Sequence, residues 1–223
     1  LCNVFSETVI VKSENEIRLV DGIFAIMEFY GAQLEGLLEG LPVLRKAMLR
    51  GVASALRDRQ VKRLEKVGAA GTEVTSKDVP MTDVLSTYVD AVMRQERKAA
   101  GTDASGAPVE TAGSDEIPRD ILNRAANLLT MLGEQQHFME NHKALLAKRL
   151  MSKNPTFLWE QYFVQRLSQV IGGSSIHYFN TMLTDISNTT TLAVRYEEFK
   201  TKKRLSDVLA VTVLTNGSWP PYR

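Results

Sequence analysis

Residues 138–151 have the sequence FMENHKALLAKRLM, and the spacing of their apolar positions indicates a helix. Phe138 and Leu145 lie seven residues apart, and Leu146 and Leu150 lie four apart, so these side chains fall on neighbouring parts of one helical face. The same periodicity is present upstream, from Ile121 to Leu132. Gly133 separates the two stretches and indicates a bend or a break. A long helical region over 115–150 is therefore predicted.

Further helices are predicted on both sides of this region. Two amphipathic runs over 16–66 are interrupted at Gly40-Leu41-Pro42, and Gly68-Ala69-Ala70-Gly71 ends the second. The other predicted helices cover 81–97, 157–171, 176–187 and 192–202. Residues 98–114 are rich in Ala, Gly, Thr and Ser, which is typical of a mobile linker or insertion. The predicted fold class is mainly α.

The chain changes character near its end. Val208–Leu214 is apolar and β-branched without helical periodicity, which predicts a strand buried on both faces, and Asn216-Gly217 after it is a turn signal. No other stretch is strongly strand-like. Because a strand needs hydrogen-bonding neighbours, its partner is expected in missing sequence or in another chain.

Composition narrows the class of protein. The 223 residues carry a net charge of +1, with 44% hydrophobic and 24% charged residues, which is a globular balance. A charge so close to zero argues against a protein that coats nucleic acid or an anionic membrane. Cys2 is the single cysteine, which indicates a reducing, intracellular compartment. No signal peptide or membrane span is predicted, and the absence of an initial methionine suggests a piece of a longer protein.

Four motifs in this order resemble the cullin family. The strongest is a phenylalanine followed after seven residues by Leu-Ala-Lys-Arg-Leu, matched by Phe138 and residues 146–150. The others are a Leu-Ala-x-Tyr-x-Asp element (residues 85–90), a Met-x-x-Asp-Ile element (182–186) and a Val-Leu-x-x-Gly-x-Trp-Pro signature (213–220). The chain departs from the family at His142, where a tyrosine is usual. It therefore resembles a divergent cullin.

The resemblance implies a domain organisation. Residues 1–76 would be the C-terminal part of a helical cullin repeat. Residues 77–205 would be a four-helix bundle with its insertion at about 98–114. Residues 206–223 would begin the α/β cullin-homology sheet. The winged-helix element, with its lysine for a ubiquitin-like modifier, would lie beyond Arg223.

The resemblance also implies a function. Cullins are non-enzymatic scaffolds of ubiquitin ligases in ubiquitin-dependent protein degradation, so no catalytic residue, metal or cofactor is expected. The expected partners are a RING-box protein, a substrate adaptor held by N-terminal repeats outside this sequence, and a cullin exchange factor. Neither nucleic acid nor a membrane is expected as a partner. The expected location is the cytoplasm, the nucleus or both.

The expected site residues form two groups. In the family a RING-box strand inserts beside the cullin's own strands, which satisfies a sheet edge through backbone hydrogen bonds. The residues expected to pack that interface are Leu209, Val211 and Val213, with Trp219 as a nearby anchor. The structural residues of the family motifs are Tyr88, Asp90, Phe138, Leu146, Lys148, Arg149, Leu150, Met182 and Asp185.

Several of these residues also have simpler structural interpretations. Lys143, Lys148 and Arg149 are also compatible with a solvated helix face or with pairing to nearby acids. Trp219 is compatible with a core residue. The basic run Thr201–Arg204 fits a nuclear import signal or a solvated helix end. His137 and His142 are five residues apart, which does not fit a helical zinc pair.

Two other functional hypotheses remain open from the residues. One is a cullin-like subunit of the anaphase-promoting complex, although Gly217–Pro220 favours ordinary cullins. The other is an unrelated helical interaction module whose terminal strand pairs with a second copy of itself. An enzyme is a third class, and no constellation of residues supports it.

Overall fold

The computed structural model describes residues 10–11, 15–37, 42–57, 60–67, 73–99, 116–152, 157–203 and 211–221. In these ranges the protein is mainly helical, as predicted. The helices are α1 (Asn15–Leu37), α2 (Pro42–Arg57), α3 (Met81–Ala99), α4 (Glu116–Leu132), α5 (Gln135–Leu150), α6 (Phe157–Ile171) and α7 (His177–Lys203), with a 3-10 helix at Gly173–Ile176. The strands are β1 (Ile10–Val11), β2 (Gln60–Val67) and β3 (Glu73–Pro80).

The chain divides into two compact units, Leu1–Asn141 and His142–Arg223, with the division inside α5. In the first unit, α3 and α4 bury the apolar stripes predicted for them, whereas α1 buries only the start of its predicted stripe, since Tyr30 is exposed. Their most enclosed side chains are Val20, Ile23, Val84, Leu85, Val89, Leu122 and Leu129. Because these positions recur within each helix at spacings of one, three, four or seven, they fall on one helical face, which lies against the core.

A β-hairpin at 60–80 corrects the prediction that helices extend to residue 66. β2 pairs antiparallel with β3, with Val61 opposite Val79, and β1 pairs parallel with β2. The prediction that no stretch other than Val208–Leu214 is strongly strand-like was therefore wrong. Val61 and Val79 are both buried, so the hairpin contributes a cross-strand apolar pair to the first unit. The predicted domain boundary after residue 76 falls inside β3, while the domain assignments themselves stay predictions.

The second unit is built on α6, α7 and the end of α5. Its most enclosed residues are Leu146, Phe163, Leu167, Ile176, Phe179 and Met182. The bounds of α6 agree with those predicted. Two helices were predicted over 176–202, whereas α7 is one helix of 27 residues, about 40 Å long. The four-helix bundle predicted over 77–205 stays a prediction.

The junction at Gly133 is a break between α4 and α5. Gly133 has φ +81°, a left-handed conformation that side chains disfavour, and its N–H donates to the Leu129 carbonyl at 3.2 Å. The predicted insertion lies outside the described residues, except that Lys98 and Ala99 are the last residues of α3.

Candidate functional site

The segment 211–221 follows α7 in the chain and contains the residues expected to bind a partner. Residues 211–215 have no regular secondary structure, which corrects the prediction of a formed strand in the described part of Val208–Leu214. A strand exists only when its backbone pairs with another, and no strand of the described residues pairs with this segment. Leu209 lies outside the described residues.

Asp185 holds this segment through three hydrogen bonds. The Thr215 N–H donates to Asp185 Oδ2 at 2.7 Å, and the Thr215 hydroxyl donates to Oδ1 at 2.8 Å. The indole Nε1–H of Trp219 donates to Oδ2 at 2.8 Å. A carboxylate has two acceptor oxygens with about four lone-pair sites, so it can serve all three donors at once. We call Asp185, Thr215 and Trp219 the terminal clasp.

The terminal clasp also determines the ionisation of Asp185. Partial burial alone would raise the pKa of this carboxyl. The hydrogen bonds from Thr215 and Trp219 stabilise the carboxylate and together lower its pKa below the ordinary value of 3.8. Asp185 is therefore ionised at neutral pH, and the carboxylate accepts stronger hydrogen bonds than the neutral carboxylic acid would.

A tight turn separates the two clasped residues. The Ser218 N–H donates to the Thr215 carbonyl at 3.3 Å, and Gly217 has φ +82°. A positive φ at the third position of a four-residue turn is typical of type II, where glycine is preferred. Lys143 donates from Nζ to the Gly217 carbonyl at 3.3 Å and lies 4.6 Å from the centroid of the Tyr178 ring. The turn signal at Asn216-Gly217 was therefore correct.

Val211 and Val213 are the exposed apolar residues of this segment. Their exposed fractions are 56% and 58%, whereas Trp219, six residues after Val213, is 8% exposed. The prediction that this stretch is buried on both faces was wrong for the chain by itself. Trp219 lies in the core of the second unit, and it also closes the terminal clasp.

Arg149 of the Leu-Ala-Lys-Arg-Leu motif forms a buried ion pair. Its Nε and Nη2 donate to the two carboxylate oxygens of Glu160 at 2.5 and 3.0 Å. The side chains are 4% and 2% exposed. This two-point geometry fixes the end of α5 against the start of α6. Of the interpretations offered for the basic residues, pairing with an acid is the one that applies to Arg149, whereas Lys148 is exposed.

His142 is fully buried between two phenylalanines. Its ring centroid lies 5.3 Å from that of Phe163 and 5.4 Å from that of Phe179, both edge-on. Burial first, and the positive charge of Arg149 second, lower the pKa of His142 well below 6.5. The imidazole is neutral at physiological pH and occupies the position where the family usually has a tyrosine.

The upstream motif residues lie in the first unit. Tyr88 is buried, and its hydroxyl donates to Asp21 Oδ1 at 2.6 Å. Burial, followed by this hydrogen bond to an acid, raises the pKa of Tyr88. Asp90 accepts a hydrogen bond from Arg94 Nε at 2.7 Å. The remaining apolar motif residues are all buried: Phe138, Leu146, Leu150 and Met182.

Several partners of these residues were not predicted. Asp21 and Glu160 carry the carboxylates that Tyr88 and Arg149 bind, and Thr215 supplies two donors of the terminal clasp. Glu160 lies in the first turn of α6 within a stretch of apolar residues, and that position was an available signal of a buried acid. No sequence pattern indicated the pairing of Asp21 with a tyrosine 67 residues away.

Neither a metal site nor a membrane-spanning helix is found among the residues that the structure describes. They contain no group of three or more His, Cys, Asp or Glu side chains placed to hold a metal ion. Among the described helices, none combines the length and the apolar character required to cross a bilayer.

The sequence matches a protein-family model described as the Cullin alpha solenoid domain. The match covers residues 5–193, which is 189 of the 223 residues. Because the match covers most of the chain, the protein belongs to the cullin family, as the motifs indicated.

Individual cullins are similar to parts of the chain. Cullin-1 of Oryza sativa subsp. japonica is 33% identical over 114 residues, which is 49% of this chain and 15% of the relative. Cullin-2 of Arabidopsis thaliana is 25% identical over 154 residues, covering 67% of this chain and 19% of the relative. Cullin-3 of Saccharomyces cerevisiae is 28% identical over 141 residues, covering 62% and 17%. The chain thus spans less than a fifth of the length of these relatives.

Proposed function

We propose that this chain is part of a non-catalytic scaffold of a cullin-type ubiquitin ligase and that residues 208–214 bind a RING-box subunit by strand addition. Membership of the cullin family supports the scaffold role. The supporting observation within the chain is the exposure of Val211 and Val213 beside an anchored turn. Strand addition uses alternate apolar side chains on a segment of backbone that is free to pair, and no strand of the described residues pairs with this segment.

The proposed location is the cytoplasm, the nucleus or both, where the substrate adaptor and an exchange factor would meet the rest of the scaffold. The chain by itself is expected to transfer no ubiquitin. Incubating it with activating enzyme, conjugating enzyme and ubiquitin should yield conjugates only after a RING-box protein has been added. Conjugates formed by the chain without that subunit would contradict the scaffold role.

The binding surface is tested by two matched substitutions. Val213→Asp places a charge within the proposed strand, and Val194→Asp places the same charge on α7, where the valine is also 58% exposed. On co-expression with a RING-box protein, we expect Val213→Asp to lose the complex because a buried, unpaired carboxylate opposes strand packing. Val194→Asp should retain it. Equal retention by both variants would contradict the assignment of this segment.

The backbone is tested separately with Thr212→Pro. Proline removes one N–H and cannot donate to a sheet ladder, so this variant should weaken the complex even though Val211 and Val213 are unchanged. Size-exclusion chromatography of the chain without a partner distinguishes the alternative of self-pairing. A dimer that Val213→Asp converts to a monomer would favour strand pairing between two copies.

A further inference from the structure

We infer that Asp185 is a positioning residue that fixes the register in which residues 211–214 meet an incoming strand. This inference rests on the proposed function, since it concerns how the same segment is presented. Asp185 lies within α7, outside the segment that meets the partner, and its role in recognition is indirect.

Packed neighbours hold Asp185, the attachment point of the segment, in place. Asp185 is 8% exposed and stands between Met182 and Ile186, both of which are buried in the core of the second unit. A side chain on a helix with packed neighbours on the same face has little freedom to move. The carboxylate is therefore a fixed reference for whatever binds to it.

The hydrogen bonds to Asp185 determine which residue of the segment is attached. Trp219 is buried, but apolar burial is non-directional and would tolerate small shifts of the chain. The hydrogen bonds of the terminal clasp are directional, and they select the N–H and hydroxyl of one residue, Thr215. Displacing the segment by one residue would bring Asn216 or Leu214 to this place, and neither has a hydroxyl.

The position of Thr215 determines where the exposed valines lie when the segment is extended. Val213 precedes Thr215 by two residues and Val211 precedes it by four, so an extended backbone places them roughly 7 and 13 Å from the clasp. Both then point to the same face. A slip by one residue would turn both valines to the opposite face. Fixing Thr215 therefore fixes which face the apolar side chains present to a partner strand.

The clasp itself is tested without any partner. The chain has two tryptophans, Trp159 and Trp219, so the indole N–H signals in an NMR spectrum are easily assigned. In Asp185→Asn, the indole proton of Trp219 should exchange with solvent at least about tenfold faster, because a charged acceptor has been lost. Trp159 should be unchanged. Glu197→Gln, which alters an exposed acid of the same helix, is the control.

Two results of this exchange measurement would overturn the inference. In the first, Trp219 exchanges at the same rate in Asp185→Asn as in the wild type. In the second, exchange accelerates equally at Trp159 and Trp219, which would show that Asp185 supports the general stability of the unit.

The register is tested by insertions that keep Asp185. One glycine inserted between Leu214 and Thr215 leaves the clasp intact but turns the two valines to the other face, whereas two glycines restore their face. Affinity for a RING-box protein should fall at least about tenfold with one glycine and recover in part with two. Asp185→Asn should also weaken binding, mainly by slowing association, because the segment must then order as it binds.

The two ideas fail in distinguishable ways. If the wild-type chain binds a RING-box protein and both Asp185→Asn and the one-glycine variant bind equally well, the positioning role is wrong and the proposed function stands. If the wild-type chain binds no RING-box protein, the proposed function is wrong and the positioning role falls with it.

Discussion

Arg149 keeps a full charge where only 4% of its side chain is exposed, and it does so because Glu160 accepts two hydrogen bonds from it. Removing one member of such a pair is costly because the remaining charge stays buried without its counterion. By contrast, the pair of Arg45 with Glu35 is exposed on both sides, at 63% and 62%, and contributes little.

These two ion pairs are expected to contribute very differently to the free energy of unfolding. Glu160→Leu should lower the free energy of unfolding by about 3–5 kcal/mol, whereas Arg45→Ala should lower it by less than about 1 kcal/mol. Urea denaturation followed by circular dichroism, which reports on the helices of both units, measures both. The double variant Arg149→Met with Glu160→Leu should recover much of the loss. A similar, small loss for both single variants would contradict the account of the buried pair.

His142 makes the stability of the chain depend on pH. Its folded pKa is lowered, so below about pH 6.5 the unfolded state binds a proton that the folded state does not. Stability should therefore fall as the pH drops through 6.5 and should not depend on this group above it. The loss should approach about 1.4 kcal/mol per pH unit for one proton.

His142→Phe supplies the control for this pH dependence. Phenylalanine keeps an aromatic ring against Phe163 and Phe179 but does not titrate, so the difference in stability between pH 7.5 and 5 should shrink. Thermal unfolding at several pH values measures it. Asp185 titrates below 3.8 and contributes at lower pH. An unchanged pH profile in His142→Phe would show that another group is responsible.

At the scale of elements, two glycines of the first unit should respond oppositely to alanine. Gly22 lies within α1 with nothing within 4 Å of an added Cβ, so Gly22→Ala should stabilise by about 0.5–1 kcal/mol. Gly133 has φ +81°, so Gly133→Ala should destabilise by about 1–2 kcal/mol. Denaturation of both variants measures the difference. Equal effects would contradict the helix break at Gly133.

The elements that were predicted correctly are stabilised by local apolar periodicity, whereas those that were missed depend on contacts with residues distant in the sequence. α3 and α6 have strong apolar periodicity, and their starts were predicted correctly. β2 contains five charged or polar residues among its eight, and Val61 was predicted to extend the apolar run of α2, so a helix was expected here. The strand is formed by pairing with β3, 18 residues away at Val79, and such non-local contacts are not visible in a local pattern.

The two helices predicted over 176–202 leave out Thr189-Thr190-Thr191, which is a run of poor helix formers. In the structure the Thr190 and Thr191 hydroxyls donate to the carbonyls of Ile186 and Ser187 at 3.1 and 3.2 Å. These bonds give the polar atoms partners inside the helix. Local hydrogen bonding therefore accommodates residues whose average preference is for other structures.

Only some residues of the candidate site were predicted, because the others depend on contacts between distant parts of the chain. Asp185 and Trp219 were identified from the family motifs, whereas Thr215 was not selected, since its role depends on the position of α7 beside the segment. Strand propensity at Val208–Leu214 was evident in the residues. Whether a strand forms depends on a neighbour that sequence periodicity cannot supply.

At the scale of the whole molecule, the net charge of +1 predicts weak interaction with nucleic acid. Electrostatic binding requires several cations to neutralise phosphates, and non-specific binders reach roughly 1–100 µM at physiological salt. Fluorescence anisotropy with a labelled duplex at 0.15 M salt should show no saturable binding in that range. Binding that weakens steeply with added salt would contradict the prediction and direct attention to Lys200, Lys202 and Lys203.

The terminal clasp has three donors but a single acceptor group, so the attachments of Thr215 and Trp219 both depend on one carboxylate. Losing its charge weakens both attachments at once, while the burial of Trp219 and the hydrogen bond from Lys143 to the Gly217 carbonyl remain. A single change at Asp185 would therefore loosen the two ends of the turn in step, without expelling the tryptophan from the core.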